Sequence, residues 1–267
     1  MGEAGKAGTI ESVGWALEVL DLLGQSLGAM SFTQIVNETG RPKSSVHRTL
    51  LTLMGHGFIQ RSPEDGSYRL AVKLWGLGMT ALGDRDLTRS ARSHLHRLME
   101  RSQETVNLSI GLEDDANILY VDKVDGPKIV RVNTRIGLIS PSWCTATGRC
   151  ILASREASWD RVLSRPLKKL TPNTITDPKR LRAELERTRS NGYAVTQGER
   201  SIENGGIAAP IRDYSGAVIA ACGLALPTFR MNKLLVSRSI PMVVEAAAAI
   251  SKALGWRGKP VRAKGAA

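Results

Sequence analysis

The sequence predicts an α+β protein in two parts, a small unit of three helices and a hairpin followed by a larger domain of mixed strands and helices. Three observations lead there. Apolar residues recur at helical spacing three times in residues 10–57, and two short strand-like runs then flank a Pro/Asp-Gly turn. Beyond residue 105, segments of strand composition alternate with helical ones, the pattern of helices set around an antiparallel sheet. A chain of 267 residues has room for two domains, at about 100–200 residues each.

The first helix is read from Val13, Leu17, Leu20 and Val19 or Leu23, an apolar stripe that ends near Gly24 to Gly28. A second, short helix opens at Ser31, whose hydroxyl suits an N-cap, and turns its Ile35 and Val36 inward. Gly40 stands where the chain must turn with positive φ. The third begins at Pro42, carries Val46, Leu50 and Leu53 on one side, and stops at Gly55 and Gly57. Phe58–Arg61 and Tyr68–Leu70 are the two strands of the hairpin.

Three helices closed by a hairpin make a winged helix-turn-helix, assigned to residues 10–71. That module buries one face of its third helix and offers the opposite face to a major groove. The face left over by Val46, Leu50 and Leu53 holds Lys43, Ser44, Ser45, His47, Arg48 and Thr52. Arg48 is the candidate base contact, and Lys43 with Arg61 and Arg69 of the wing are candidate phosphate contacts. A basic helix face taken alone is more often a solvated surface. The order of elements, with the wing in place, turns the reading toward double-stranded operator DNA.

Total charge adds little to this. The chain has 37 Lys+Arg against 25 Asp+Glu, a net charge of +12. Residues 1–40 hold one base, Lys6, against five acids, whereas residues 41–73 hold six bases against two acids. Most of the basic excess therefore lies beyond the segment assigned to DNA.

Three blocks of sequence resemble a known family. SSVHRTLLTLMGHGFIQRSPEDGSYRL, at the centre of the segment from Ser12 to Leu70, is similar to the winged-helix domain of the IclR family of bacterial transcription regulators. CTATGRCILA from Cys144 to Ala153 resembles that family's pocket helix, and GERSIENGGIAAPIRDYSGAVIAACGLALP from Gly198 to Pro227 resembles its ligand-domain signature. The resemblance spans residues 10–255, with the blocks in the family's order.

Between the domains, residues 72–86 read as a helical linker, with Gly76, Gly78 and Gly83 weakening the helix from Val72 to Leu82. A long polar helix is expected from Leu87 to Gln103 at the start of a domain covering residues 87–256. Within it, Asn107–Leu112, Asn117–Val124, Ile129–Thr134, Tyr193–Gln197, Gly206–Ile211 and Val218–Leu226 have strand composition. Thr147–Ala153, Pro178–Ser190 and Lys233–Leu254 read as helices. The resemblance implies a GAF-like or profilin-like domain holding a small effector. Residues 257–267 form a basic tail, and the run from Trp256 onward is expected to be disordered.

Cys144-Thr145-Ala146-Thr147-Gly148 places hydroxyls and free N–H groups at a helix start, which favours an anion such as a carboxylate. The resemblance implies effector contacts at Ser142, Trp143, Cys144, Ala146, Thr147, Thr196, Asn204, Gly206, Gly223 and Ala225. Thr196 stands where family members binding very small oxo acids have an acid, and Gly223 and Ala225 where they have hydroxyls. Shorter side chains suggest a larger or more apolar acid, with Trp143 as a wall.

Catalysis is the competing class. Cys144 at a helix start could act as a nucleophile if its pKa were lowered, but His47, His56, His94 and His96 form no Cys/His motif with it, and no phosphate-loop or zinc-protease signature is present. The sequence therefore predicts no enzyme, no cofactor and no metal site. A purely architectural DNA binder would not need the second domain. Three cysteines without CxxC spacing argue against a disulfide framework. Residues 1–14 carry no apolar signal run, and apolar stretches reach only about half of a bilayer span. The expectation is a cytoplasmic homodimer or tetramer whose recognition helices read paired half-sites.

Overall fold

Ser31 fixes the geometry of the first helical turn that matters. In the computed structural model, which describes residues 10–26, 28–82 and 87–258 (for 75 and 79–82 the backbone alone), the chain divides into two units, Met1–Arg85 and Asp86–Ala267. In the first, α1 (Glu11–Gln25) is followed by α2 (Phe32–Thr39) and α3 (Lys43–Gly55). The Ser31 hydroxyl accepts from the Gln34 amide while Gln34 Oε1 accepts from Ser31 N at 2.8 Å, a reciprocal capping box. Gly40 ends α2 with φ 62°, a left-handed turn that sets the angle at which α3 leaves.

Val46, Leu50 and Leu53 of α3 are buried against Ile35 of α2 and Val19 and Leu23 of α1. Each such side chain contributes on the order of 1.5–3 kcal/mol. The wing strands β1 (Ile59–Arg61) and β2 (Tyr68–Leu70) pair antiparallel, Ile59 opposite Leu70, and Ile59 and Tyr68 complete the core. α1 departs from expectation. Its inward residues are Val19 and Leu23, supported by Ala16 and Leu20, whereas Val13 and Leu17 are exposed. Five possible stripe members spaced at three and four residues span more than one face, and only packing selects among them.

In the span expected to be a helical linker the chain forms α4 (Lys73–Leu82), which begins by fastening itself to the end of α3. Lys73 Nζ donates to the His56 carbonyl at 2.8 Å and lies 4.7 Å from the Phe58 ring centroid. The expected junction at residues 83–86 lies outside the described residues.

The second unit is built on a six-stranded antiparallel sheet. In chain order it contains α5 (Leu87–Ser102), β3 (Thr105–Gly111), β4 (Asn117–Val124), β5 (Ile139–Pro141), α6 (Ala146–Ala153), α7 (Trp159–Leu163), α8 (Pro178–Asn191), β6 (Ala194–Gln197), β7 (Asn204–Arg212), β8 (Val218–Pro227) and α9 (Lys233–Ala253). The strand order is β5-β4-β3-β8-β7-β6. α5 and α9 cover one face; α6 lies on the other with α8 behind it. This mixed architecture fits the GAF-like, profilin-like expectation.

Strand alternation makes the two faces chemically unlike. Toward α5 and α9 point Val106, Leu108, Ile207, Ala209, Ile211, Cys222, Leu224 and Leu226, a closely filled hydrophobic layer. The intervening residues are small or polar. Asn107 pairs with Gly223, Gly223 with Ala208, Gly206 with Ala225 and Thr196 with Gly206, so four adjacent strands present a shallow surface to α6.

Two expectations for this unit are corrected, and one helix was not anticipated. Ile129–Thr134 is a loop, because the outer edge of β4 is taken by the three-residue β5 and Ile129, 97% exposed, has nothing to pack on. The helix α7, not anticipated, folds because Trp159, Val162 and Leu163 bury themselves against Leu181 and Leu185 of α8. The expectation of disorder from Trp256 onward does not hold at Trp256 itself: its N donates to Ser251 O at 2.9 Å and its ring lies under Arg212. Residues 259–267 lie outside the described residues. By length and composition α9 alone, among the described helices, could cross a membrane, but its Ile240, Val243, Ala247 and Ile250 belong to the core.

Candidate nucleic-acid interface and effector cavity

On α3 the buried stripe leaves Lys43, Ser44, His47 and Arg48 facing solvent. Among the described residues, the side chains of Lys43 and Arg48 have neither a hydrogen-bond nor an ion-pair partner, so both cations are available to a ligand. His47 meets the Phe32 ring edge-on at 6.3 Å, which orients the imidazole without burying it. Ser45 differs from the other members of the set. It is half-buried in the crevice between α1 and α3, beside Trp15 and Arg41.

The wing cations are already engaged within the wing. Arg61 Nε donates to the Gly66 carbonyl at 3.1 Å and its guanidinium lies 5.7 Å from the Tyr68 ring. With the Gln60 amide turned so that its oxygen faces Arg69, that oxygen accepts from Nε at 2.6 Å. Asp65 holds the turn by accepting from Ser67 N at 3.1 Å and Ser67 Oγ at 2.7 Å, and these bonds pull its carboxyl down to about 2. Both arginines remain exposed, so shaping the wing does not preclude their meeting phosphate.

In the second unit, a cavity of about 200 Å³ opens where the shallow sheet face meets the start of α6. Cys144, Ala146, Thr147, Thr196, Asn204, Gly206, Gly223 and Ala225 line it, so eight of the ten residues implied by resemblance converge. Two do not. Ser142 is 1% exposed and its hydroxyl donates to the Asp115 carbonyl at 2.9 Å. Trp143 is turned the other way, into the cluster of Leu152, Trp159 and Leu181 between α6, α7 and α8. It is no wall of the cavity.

Gly223 also needs another explanation. A Cβ there would sit 2.4 Å from the Ile207 carbonyl, so the glycine answers to close backbone approach before it offers room to a ligand. Gly148 plays a similar part in α6. A Cβ would come within 2.5 Å of the Ser142 backbone, and its absence lets the helix seat tightly against the segment leading from β5.

Polar groups that sequence reading missed define the cavity's chemistry. Arg200 lines it and donates from Nε to Ser140 Oγ at 3.0 Å, and among the described residues no carboxylate pairs with this guanidinium. Burial pushes the Tyr120 phenol up, with Arg200 opposing, so the hydroxyl stays protonated beside Thr147 and Ser140. Ser109 Oγ donates to Thr147 Oγ1 at 3.2 Å. Asn107 Nδ2 donates to Thr134 Oγ1 at 3.0 Å, while Asn107 Oδ1 is buried with no hydrogen-bond partner among the described residues. At the N-cap of α6, Thr145 spends its hydroxyl on the Pro141 carbonyl at 3.0 Å and so does not close the first turn.

Behind the lining, Arg149 of α6 forms a buried ion pair with Glu199 and donates from Nε to the Trp143 carbonyl at 2.9 Å. Burial raises the Glu199 carboxyl and Arg149 pulls it back. Glu199 precedes Arg200, so the pair fixes the segment that carries the cavity's cation. The thiols contrast with this polar chemistry. Burial pushes Cys144 up to about 12 and raises Cys150 and Cys222 also, the reverse of what a nucleophile needs. Among the described residues, no group of three or more His, Cys, Asp or Glu is placed to hold a metal.

Comparison with known proteins matches both units to one family. The profile described as "IclR helix-turn-helix domain" matches residues 12–63, and "Bacterial transcriptional regulator IclR C-terminal" matches residues 79–252. The chain belongs to the IclR family. As an IclR protein it is a DNA-binding transcription regulator, a member of a family of regulators and not of enzymes. The HTH-type transcriptional regulator XynR of Escherichia coli K12 is 32% identical over 249 residues, covering 92% of this chain and 98% of that protein. KdgR of the same organism is 31% identical over 255 residues, covering 94% and 96%. An IclR regulator from Alicyclobacillus acidocaldarius superposes with a TM-score of 0.77 at 30% identity, over 92% of this chain and all of that one. An IclR homologue from Microbacterium hydrocarbonoxydans, solved with 4-hydroxybenzoate, gives a TM-score of 0.78 at 26% identity, over 91% and 98%.

Proposed function

We propose that this IclR regulator binds operator DNA through α3 and the wing, and that a small carboxylate in the second unit's cavity controls its affinity. The observation that carries the effector reading is Arg200, a cavity cation answered by a hydroxyl and, among the described residues, by no carboxylate. An anionic ligand completes that arrangement, and the unclosed N-terminal turn of α6 adds backbone donors on the same side. The cavity's size favours a compact acid over a large one. At about 200 Å³ the cavity is smaller than the roughly 300–1,000 Å³ of drug-sized sites, and Asn107, Tyr120, Thr134, Ser140 and Thr196 all face it.

For DNA, Lys43, Ser44, His47 and Arg48 form the reading face, with Arg48 toward bases and Lys43, Arg61 and Arg69 toward phosphates. Ser45 takes a supporting place at the α1 side. A single recognition helix reads one half-site, so the working form is a homodimer or a pair of dimers. The exposed Ile10, just before α1, and Val13 and Leu17 within it offer an apolar strip for self-association. Effector occupancy would reach the reading heads through α4, whose first residue is tied to the end of α3. Operation in the cytoplasm follows from that role.

Fluorescence anisotropy on a duplex from the gene's own promoter region, with scrambled duplex as control, tests the reading. Preference for the promoter that shifts about 5- to 150-fold with a small carboxylate is expected. Equal binding to both duplexes at every acid concentration would remove the proposal.

A further inference from the structure

We infer that the second unit carries a duplex-binding surface of its own, formed by Arg165, Lys168, Lys169, Lys179 and Arg180, which holds the phosphate backbone of DNA without reading sequence. This surface lies outside the helix-turn-helix module and accounts for part of the basic excess that α3 and the wing leave unused.

All five side chains are exposed. They belong to one region of the fold. Leu167, beside Lys168, and Leu181, beside Arg180, pack into the same cluster with Trp159 and Leu163. Between them Thr174 Oγ1 folds the chain back, accepting from Leu170 N at 3.1 Å and from Thr171 N at 2.9 Å. Pro166 and Pro178 fix φ next to Arg165 and Lys179, so less backbone freedom is lost when these cations meet a ligand. Acids nearby are already matched. Glu156 pairs with Arg189, Asp160 with Arg182 and Glu184 with Arg187, while Asp177 caps α8 by accepting from Arg180 N at 2.8 Å. Glu186, two turns along α8 from Lys179, is the acid of this helix outside such a pair. Among the described residues, the five cationic side chains have neither a hydrogen-bond nor an ion-pair partner. Like charges gathered in one place repel, and a polyanion converts that repulsion into attraction.

Composition selects the polyanion. Residues 164–180 contain no aromatic side chain on which an unpaired base could stack, and no exposed large hydrophobic residue lies among them. Single-stranded nucleic acid and protein partners depend on such groups. Lysines and arginines on a polar surface suit duplex phosphates, whose contacts are indifferent to sequence and sensitive to salt. The first unit already brings a duplex to the chain, and being joined to it raises the effective concentration of DNA at the second.

Salt titrations of the full chain on a long random duplex test this, with a single-stranded RNA of equal length as the second ligand. In Lys168→Gln/Lys169→Gln/Lys179→Gln/Arg180→Gln the slope of log affinity against log salt should fall by about 2–4, near 0.9 for each lost phosphate contact. Removing the same charge from scattered positions on and after α9, in Lys233→Gln/Arg238→Gln/Lys252→Gln/Arg257→Gln, should change it by less than about 1. Should the first variant not fold, Lys168→Gln/Lys169→Gln and Lys179→Gln/Arg180→Gln should each show about half of its effect. A slope unchanged by the patch substitutions, an equal fall in the α9 variant, or a patch-dependent preference for the RNA would each overturn the inference.

Discussion

Arg200 Nε donates to Ser140 Oγ at 3.0 Å, so a guanidinium that faces the cavity is held by a neutral hydroxyl on β5. The bond aims the cation without neutralising it. Arg200→Gln should therefore weaken binding of any acid that the wild type takes by about ten- to a hundredfold, the range of a charge-assisted hydrogen bond. The ligand-free protein should melt within a few degrees of wild type. Acid-dependent melting shifts check both statements, and an undiminished shift would place the carboxylate elsewhere.

On α3, the unengaged side chains of Arg48 and Lys43 should behave differently. Arg48→Ala is expected to cost about 1–3 kcal/mol on the operator and much less on random duplex. Lys43→Ala should weaken both alike and reduce the slope of log affinity against log salt by about 1. Salt titrations on the two duplexes separate base reading from phosphate contact.

Removing one member of the Arg149–Glu199 pair leaves the other buried without its charge partner. Arg149→Met should destabilise the second unit by about 3–5 kcal/mol at pH 7. Burial already raises the Glu199 carboxyl, and losing Arg149 raises it further. A carboxyl with a raised native pKa favours the folded state when protonated and disfavours it as pH climbs through that value. Urea unfolding should accordingly show a smaller deficit for Arg149→Met at pH 5 than at pH 7.

Asp65 gives the opposite sign. Bonds from Ser67 and Ser62 lower its carboxyl from 3.8 to about 2, so its hold on the wing turn is complete above the ordinary value and is lost as pH falls toward 2. Relative to the intrinsic exchange rate at each pH, the Ser67 amide should be more protected at pH 5 than near pH 2, and in Asp65→Asn its protection should not change between the two. Protection of the Ser67 amide that does not change with pH in the wild type would show that the turn is held by something else.

Much of this architecture was legible in the chain. Ser31, Gly40 and Pro42 punctuate the helices by local backbone chemistry, which a sequence displays directly, and the α3 stripe leaves little choice of face. The cavity was legible only in part. The small residues of β7 and β8 could be matched to a family pattern, but Arg200 and Asn107 come from a turn and from another strand, and tertiary folding alone brings them together. One signal for Asn107 was present, a polar residue at an inward position between Val106 and Leu108. Trp143 was misplaced because the segment between β5 and α6 has no regular period from which a facing can be read. The loop misread as a strand at residues 129–134 concealed Thr134 for the same reason: strand composition says nothing about whether a partner edge is free.

The unlike faces of the sheet have a consequence for descent. Side chains that hold the unit together point toward α5 and α9, while those that line the cavity point the other way from the same strands, one residue out of phase. Replacements at Asn107, Thr196 or Ala225 can alter what is sensed while Val106, Leu108 and Leu224 keep the scaffold standing. A single set of strands can thus pass through many chemical specificities over evolutionary time without having to invent a new body for each.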